Sequence, residues 1–463
     1  MALRRSGERR TGRAVSVAAM CSALIASGCA AATEPAPLDL GTTVKEAYEY
    51  AFPLYELSRH RWNALETPGS RTATTPNAFA HSRSLPGPDD TWANGPSEDV
   101  LYSTAWLDLA RGPVHLDTPD TGDRFYVLTL IDFYSNTFFY AGERTTGTQA
   151  QKYFIVGPDW QGQAPADSTL VRASTNDVYV NLRIQTDGPA DQAATNAVQD
   201  GFRFTPAQPA SPPGPERIRP VAGEPKSYVD VVNQMLALDP PPTEEGGLID
   251  RFREVGICGS GCSWESLPAA TKAAWTTEFP NLGRYFERLE KAGRAKGWID
   301  YSPPGNLLGT TRQKDYDLRA FALATGGGML GMSRDEANYW ITFTDATSAP
   351  LRGTQNYVLH LPPGGIPSKA FWSITLYEVR DNGQFPTPNP IGRYVISSET
   401  RGLVANPDGT IDIAVQATEP AQQTANWLPS PSNGKNFILF ARSYVPGPEV
   451  LAGKFTMPPV TPR

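Results

Sequence analysis

The stretch that most constrains this chain is residues 123–147, DRFYVLTLIDFYSNTFFYAGERTTG. Phe125, Val127, Thr129, Ile131 and Phe133 fall on one face of an extended strand; Tyr126, Leu128, Leu130, Asp132 and Tyr134 fall on the other. Both faces are mainly apolar, so the strand has to be covered on both sides over most of its length. Ser135-Asn136 turns the chain, and residues 137–141 return as a second strand. One acid, Asp132, sits inside the apolar run, and Arg144 lies just past the returning strand. A buried ionised carboxylate is costly unless paired, and Arg144 is the expected partner. The pair reads as a structural ion pair or turn cap on one side, and as acid–base machinery on the other.

The rest of the chain supports β structure at both ends. Its 463 residues suffice for two or three domains, and its 41 glycines and 43 prolines favour short strands with many turns. An apolar-periodic helix at 44–62 contains Pro53, expected to kink or divide it. Strands are expected at 99–109, 152–157, 170–172 and 178–184, and a helix at 190–202. A proline-rich linker follows, then helical patterns at 228–236, 248–255, 267–279 and 281–298. The run Gly326-Gly327-Gly328 lacks the Lys-Ser/Thr ending of a phosphate loop and reads as a hinge or a close contact. From Tyr339 onward NYWITF, QNYVLHL, FWSITLYEV, RYVIS, TIDIAVQ and FILFARSY alternate with turns. The expected fold is mainly β (α+β): two antiparallel β-sandwich or jelly-roll-like domains with a helical segment between them. The divisions are a leader at 1–28, a tether at 29–40, an α+β domain at 41–220, a helical connection at 226–325 and a β-sandwich at 326–463.

The leader has a basic start (Arg4, Arg5, Arg9, Arg10, Arg13), a short apolar core and then Ala26-Ser27-Gly28-Cys29. Small residues before a cysteine fit a lipoprotein signal, with Cys29 lipidated as the first mature residue; an ordinary secretory signal with an incidental cysteine is the alternative. The apolar core is too short to span a membrane. The reading places the protein in the cell envelope, outside the cytoplasm, lipid-anchored to the membrane. The whole chain carries a net charge of −7 and its leader is basic, so the remainder is more acidic still, which argues against nucleic acid as a partner. Cys258 and Cys262, in CGSGC, are expected to form a local disulfide outside the cytoplasm; half a metal site is the alternative.

The familiar hydrolase and zinc motifs are missing, and four histidines at 60, 81, 115 and 360 show no ligand spacing, so no metal and no cofactor is expected. His81 lies in a long turn-rich segment and is the histidine freest to act. Asp99, Asp132 and Arg144 are the candidate catalytic groups. Tyr102, Trp372, Tyr377, Arg393 and Trp427, with His81, are the candidate ligand-binding groups, since aromatic surfaces with a few polar anchors suit a small molecule or a sugar ring. They suit a sandwich core as well.

These motifs also carry a resemblance. DVLYSTAWLDL, DRFYVLTLID, ERTTG and YFIVGPDWQG resemble the bacterial domain of unknown function numbered twelve fifty-four. AFWSITLYE, NPIGRYVIS, NPDGTIDIAVQ, NWLPSP and FILFARSYVP resemble its C-terminal companion, the domain numbered twelve fourteen, and AYEYAFPLYEL is similar to the family's opening helix. The resemblance implies an exported, mainly β protein with helices packed at the domain junction, and no established reaction. Two departures stand out: Ser97-Glu98-Asp99-Val100 replaces the family's Asn-x-Asp before Leu-Tyr-Ser, and Glu378 replaces an aspartate. The expected function is an envelope lipoprotein acting on a small hydrophobic or glycan-like molecule by Asp/Glu acid–base chemistry, hydrolase-like or isomerase-like. A non-catalytic ligand- or glycan-binding protein and a purely structural lipoprotein are the alternatives.

Overall fold

The structure is a computed structural model that describes residues 39–91, 94–208, 214–282, 297–300, 315–316, 319–320, 323, 332–381 and 383–463. Cys29 with the whole leader, most of the helix expected at 281–298, and the glycine run 326–328 lie outside these residues.

Asp39 opens the described chain as a helix cap, accepting from the Gly41 amide at 3.1 Å and the Thr42 hydroxyl at 2.6 Å. The helix it starts, α1 (Leu40–Leu65), runs unbroken through Pro53. Packing explains the continuity. Tyr48, Ala51, Leu54 and Tyr55 are buried against α2 (Pro225–Leu238) and α3 (Ala269–Glu278), with Tyr48 stacked on Tyr228 at 4.8 Å. These contacts outweigh the hydrogen bond that a proline removes.

In the N-terminal half, β1 (Ala80–His81), β2 (Val100–Asp108), β4 (Tyr126–Asp132), β5 (Thr137–Gly142) and β8 (Asp177–Gln185) form one antiparallel sheet in the order β1-β2-β8-β4-β5. β3 (Val114–Thr118), β6 (Gln151–Val156), β7 (Thr169–Arg172) and β9 (Arg203–Pro206) form a second, in the order β7-β6-β3-β9. Every residue of β4 is buried. Tyr126, Leu128 and Leu130 point into the core between the two sheets. On the opposite face Ile131 meets the helices and Val127 meets the C-terminal half. The doubly apolar strand is thus covered by three different neighbours.

The C-terminal half is a second sandwich. β10 (Ile299–Asp300), β11 (Ala337–Thr342), β13 (Trp372–Arg380), β14 (Gly383–Phe385) and β18 (Phe437–Tyr444) lie in the order β10-β11-β18-β13-β14, with β15 (Val395–Ser397) also paired to β13. β12 (Tyr357–Leu361), β16 (Ile411–Gln416), β17 (Trp427–Pro429) and β19 (Val460–Pro462) make the facing sheet. Pairing is antiparallel except between β6 and β7 and between β16 and β17. Leu359, Leu361, Ile374, Leu376, Ile413, Val415 and Leu439 fill the space between the sheets. The remaining face of the β11-β18-β13 sheet packs on the remaining face of the β2-β8-β4 sheet. Phe125 touches Phe371 and Tyr444, and Phe371 stacks on Tyr444 at 4.3 Å. Each fully buried aromatic of this kind contributes about 2–3 kcal/mol.

Candidate functional site

Strand registration gathers polar side chains at this sheet-to-sheet junction. On the N-terminal side Tyr102, Arg183 and Val127 are direct cross-strand partners. On the C-terminal side Tyr339, Arg442 and Ser373 are. Cross-strand partners share a face, so the two rows confront each other. Arg183 Nη1 donates to the Tyr339 hydroxyl at 3.1 Å, and its guanidinium lies 5.4 Å from the centre of the Tyr102 ring. Arg442 Nη1 donates to Thr375 Oγ1 at 2.8 Å, and its Nη2 to the Tyr377 hydroxyl at 3.0 Å.

The segment before β2 closes the junction. Gly95, with φ of +62°, passes beside the rings of Tyr377 and Phe440 in a conformation that favours glycine. Its carbonyl accepts from Arg442 Nη2 at 3.1 Å, and the next carbonyl, of Pro96, accepts from the Tyr377 hydroxyl at 2.5 Å. The Ser97 amide donates to the Tyr102 hydroxyl at 3.2 Å. Glu98 and Asp99 follow, at 3% and 4% exposure. Asp99 Oδ1 accepts only a long bond, 3.5 Å, from the Tyr444 hydroxyl, while Asp99 Oδ2 and Glu98 Oε1 are buried with no hydrogen-bond partner among the described residues. Burial, then the neighbouring Asp99 charge, pushes the Glu98 carboxyl well above its ordinary value, so it keeps its proton to higher pH than an exposed glutamate does. Burial, then Asp99, likewise pushes the Tyr444 phenol up, which keeps it a donor. The arrangement therefore sets two carboxyls side by side, one of them biased towards its protonated form, with two guanidiniums and four tyrosines around them.

Of the residues singled out from the sequence, Asp99, Tyr102 and Tyr377 converge here and the others do not. The pairing of Asp132 with Arg144 is corrected. Asp132 caps the turn after β4: its Oδ1 accepts from the Tyr134 and Asn136 amides at 2.9 and 2.8 Å, and its Oδ2 from Ser174 Oγ at 2.7 Å. The turn needs that cap, since Ser135 adopts a φ of +63°. Arg144 instead bonds Glu336 at 2.5 Å, joining the two halves of the molecule. Trp372 lies five residues from Tyr377 on one strand, so it points the other way, into the C-terminal sandwich, and its indole donates to the Gly364 carbonyl at 3.2 Å. Trp427 is buried, not exposed, and donates to the Gln416 carbonyl. Arg393 is spent on the carbonyls of Thr424, Ala425 and Trp427, which shapes the loop before β17. His81 sits on β1 at 2.8 Å from Ser103 Oγ, and burial, then Arg83, lowers its imidazole to about 4, so it is neutral at pH 7. Glu378 is closed by Lys435, Arg380, Thr387 and Asn433. Cys258 and Cys262 form a disulfide, the Cys258 and Gly259 amides anchored on Asn233 Oδ1. Among the described residues no group of three or more His, Cys, Asp or Glu side chains is placed to hold a metal ion.

Arg183, Arg442, Tyr339 and Tyr444 do not stand out from the sequence, and Glu98 does so only as part of a departure from the family's pattern. The signal was present: Arg183 in VYVNLRI and Arg442 in FILFARSY are single charges inside apolar strands. The same reasoning that drew notice to Asp132 applies to both.

Comparison with solved structures identifies the same fold in the VPA0106 protein from Vibrio parahaemolyticus, at TM-score 0.70 and 21% identity, over 92% of this chain and all of that one. An uncharacterised protein from Burkholderia cenocepacia aligns over 92% of this chain and 95% of that one at 14% identity and TM-score 0.42. No curated protein matches. Residues 76–206 match the protein of unknown function DUF1254 and residues 336–448 match the protein of unknown function DUF1214, together more than half of the chain. The site segment that carries Gly95 to Tyr102, and the strands that carry Tyr339, Tyr377 and Arg442, fall within these two stretches. The chain therefore belongs to the proteins that pair an N-terminal DUF1254 with a C-terminal DUF1214.

Proposed function

We propose that the protein is an acid–base enzyme acting on a small molecule held between its two β halves, with Glu98 as the acid and Asp99 as the base. The observation that carries this reading is the pair of adjacent buried carboxyls, each with an oxygen that no donor among the described residues satisfies. Buried carboxyls in a structural role are normally fully bonded. A carboxyl whose environment favours its protonated form, set beside a second carboxyl, is an arrangement that acid–base chemistry uses. Arg442 and the neutral tyrosine hydroxyls supply donors for charge that develops on the bound molecule. The test is conversion of a metabolite extract by purified protein, followed by mass spectrometry, with Glu98→Gln and Asp99→Asn as controls. Conversion that disappears in Asp99→Asn while folding is retained supports the reading; conversion unchanged in both variants overturns it.

A second reading, a polar junction that only fastens the two halves together, is favoured by the burial of every member of the cluster. It expects Asp99→Asn to change stability and nothing else.

The leader supports a further part of the proposal: Cys29 is lipidated and tethers the protein to a membrane outside the cytoplasm. The Cys258–Cys262 disulfide is in keeping with an oxidising compartment. Among the described residues no helix is long and apolar enough to cross a membrane. Incorporation of labelled palmitate that Cys29→Ala abolishes supports the anchor; equal labelling of both, or of neither, overturns it.

A further inference from the structure

We propose that the junction site takes a small polyhydroxylated carboxylic acid, its carboxylate held by Arg442 and its hydroxyls by Asp99 and Glu98. The proposal rests on the acid–base reading above and adds the substrate class to it. Arg442 is 3% exposed, yet its hydrogen bonds run to a threonine hydroxyl, a backbone carbonyl and a tyrosine hydroxyl, all neutral acceptors. Among the described residues no ion pair joins it to a carboxylate. A guanidinium carries five N–H donors in a planar fork, and burying its charge against neutral partners alone is unfavourable. Asp99 Oδ2 and Glu98 Oε1 have the opposite need, being buried oxygens without a hydrogen-bond partner among the described residues.

The two needs lie in one cluster, since the Asp99 charge is felt at Arg442, but the side chains do not bond each other. A single molecule meets both needs if it carries an acidic group for the fork and hydroxyls for the carboxyls. With both Nη2 hydrogens engaged by Gly95 and Tyr377, a carboxylate meets Arg442 through its remaining N–H groups and through its charge. A neutral sugar would leave Arg442 with the Asp99 charge nearby but, among the described residues, no carboxylate bonded to it. A hydrocarbon would satisfy neither end, and unpaired buried polar groups select strongly against such ligands.

The experiment is calorimetric titration of the purified protein at pH 7 and fixed ionic strength with D-glucuronate and D-gluconate, against D-glucose and propionate. The expected result is that at least one hydroxy acid binds about tenfold or more tighter than both glucose and propionate, equivalent to about 1.4 kcal/mol. Arg442→Lys should weaken that binding, and Arg442→Gln should erase the preference for acid over sugar. Because Arg442 is buried, hydrogen exchange on the unmutated protein gives an independent reading: residues 94–102 and 437–444 should gain protection with the hydroxy acid and none with glucose. Absence of a preference for either acid, or protection confined to other segments, overturns the proposal. If a hydroxy acid binds selectively and is converted equally well by Asp99→Asn, the acid–base reading fails and the Arg442 anchor stands. If Asp99 is needed for conversion of some other compound while both acids bind no better than glucose, the anchor fails and the acid–base reading stands.

Discussion

Asp132 and Asp99 are both aspartates of the N-terminal half, both at 4% exposure, and they differ in almost everything else. Asp132 receives hydrogen bonds from two backbone amides, the Asn136 side chain and Ser174. Among the described residues Asp99 receives one long bond, and its second oxygen has no donor. Burial therefore does not separate a functional carboxylate from a structural one. Hydrogen bonding separates this pair, because the folded state tolerates an unbonded buried oxygen only where something else offsets the cost, as the Arg144 cation does for Glu336, whose Oε1 is also unbonded among the described residues.

The contrast breaks most readily at Asp132. Asp132→Ala strands two amides and the Ser174 hydroxyl and removes the cap of a turn that holds Ser135 at positive φ. The expected loss is about 3 kcal/mol, read from urea unfolding. Asp99→Asn replaces a buried carboxyl that makes few hydrogen bonds among the described residues, and should stay within about 1 kcal/mol of the wild type in the same assay. Equal losses in the two variants would erase the distinction on which the candidate site stands.

Arg144 tests the corrected partner. Its truncation to alanine leaves Glu336, whose side chain is 1% exposed, without its cation. That should cost about 2–3 kcal/mol and loosen the junction between the halves. Asp132→Asn combined with Arg144→Ala should be additive, since the two residues share no bond; a coupling above about 1 kcal/mol would revive the original pairing. The error is instructive about what a sequence shows. Period-two alternation located β4, β13 and β18 and required that β4 be covered on both faces. It could not say that a backbone turn three residues away would consume Asp132. Nor could it show that Glu336, 192 residues further on, would meet Arg144. Partners across long separations are set by sheet packing, which no local pattern encodes.

Trp372 and Tyr377 repeat the comparison within one strand, and here alternation alone suffices. An odd spacing of five puts them on opposite faces, the tryptophan in the sandwich core and the tyrosine at the junction. Trp372→Phe should cost about 1–2 kcal/mol, through lost volume and the lost bond to the Gly364 carbonyl, with no change in ligand binding. Tyr377→Phe removes an acceptor of Arg442 and should alter binding more than stability. A Trp372 variant with normal stability and weakened binding would return that residue to the site.

Glu98 offers the smallest effect and the one most specific to an unsatisfied carboxyl. Its proton is retained to higher pH in the folded protein than in the unfolded chain, where it titrates near its ordinary 4.5. Burial causes the rise first and Asp99 second; Arg442 opposes it, and Asp90 adds to it. Between the unfolded and folded values the folded state binds more protons, so stability falls as pH rises. The contribution is complete below about 4.5 and is lost as pH climbs through the folded value. Glu98→Gln is neutral throughout and lacks this slope. The melting temperature of the wild type, measured relative to Glu98→Gln, should therefore decline from pH 4.5 upward, whereas Asp132→Asn should leave the decline in place. A flat difference between wild type and Glu98→Gln would mean that Glu98 titrates alike in both states, and the junction would then lack the resident acid that the proposed chemistry needs.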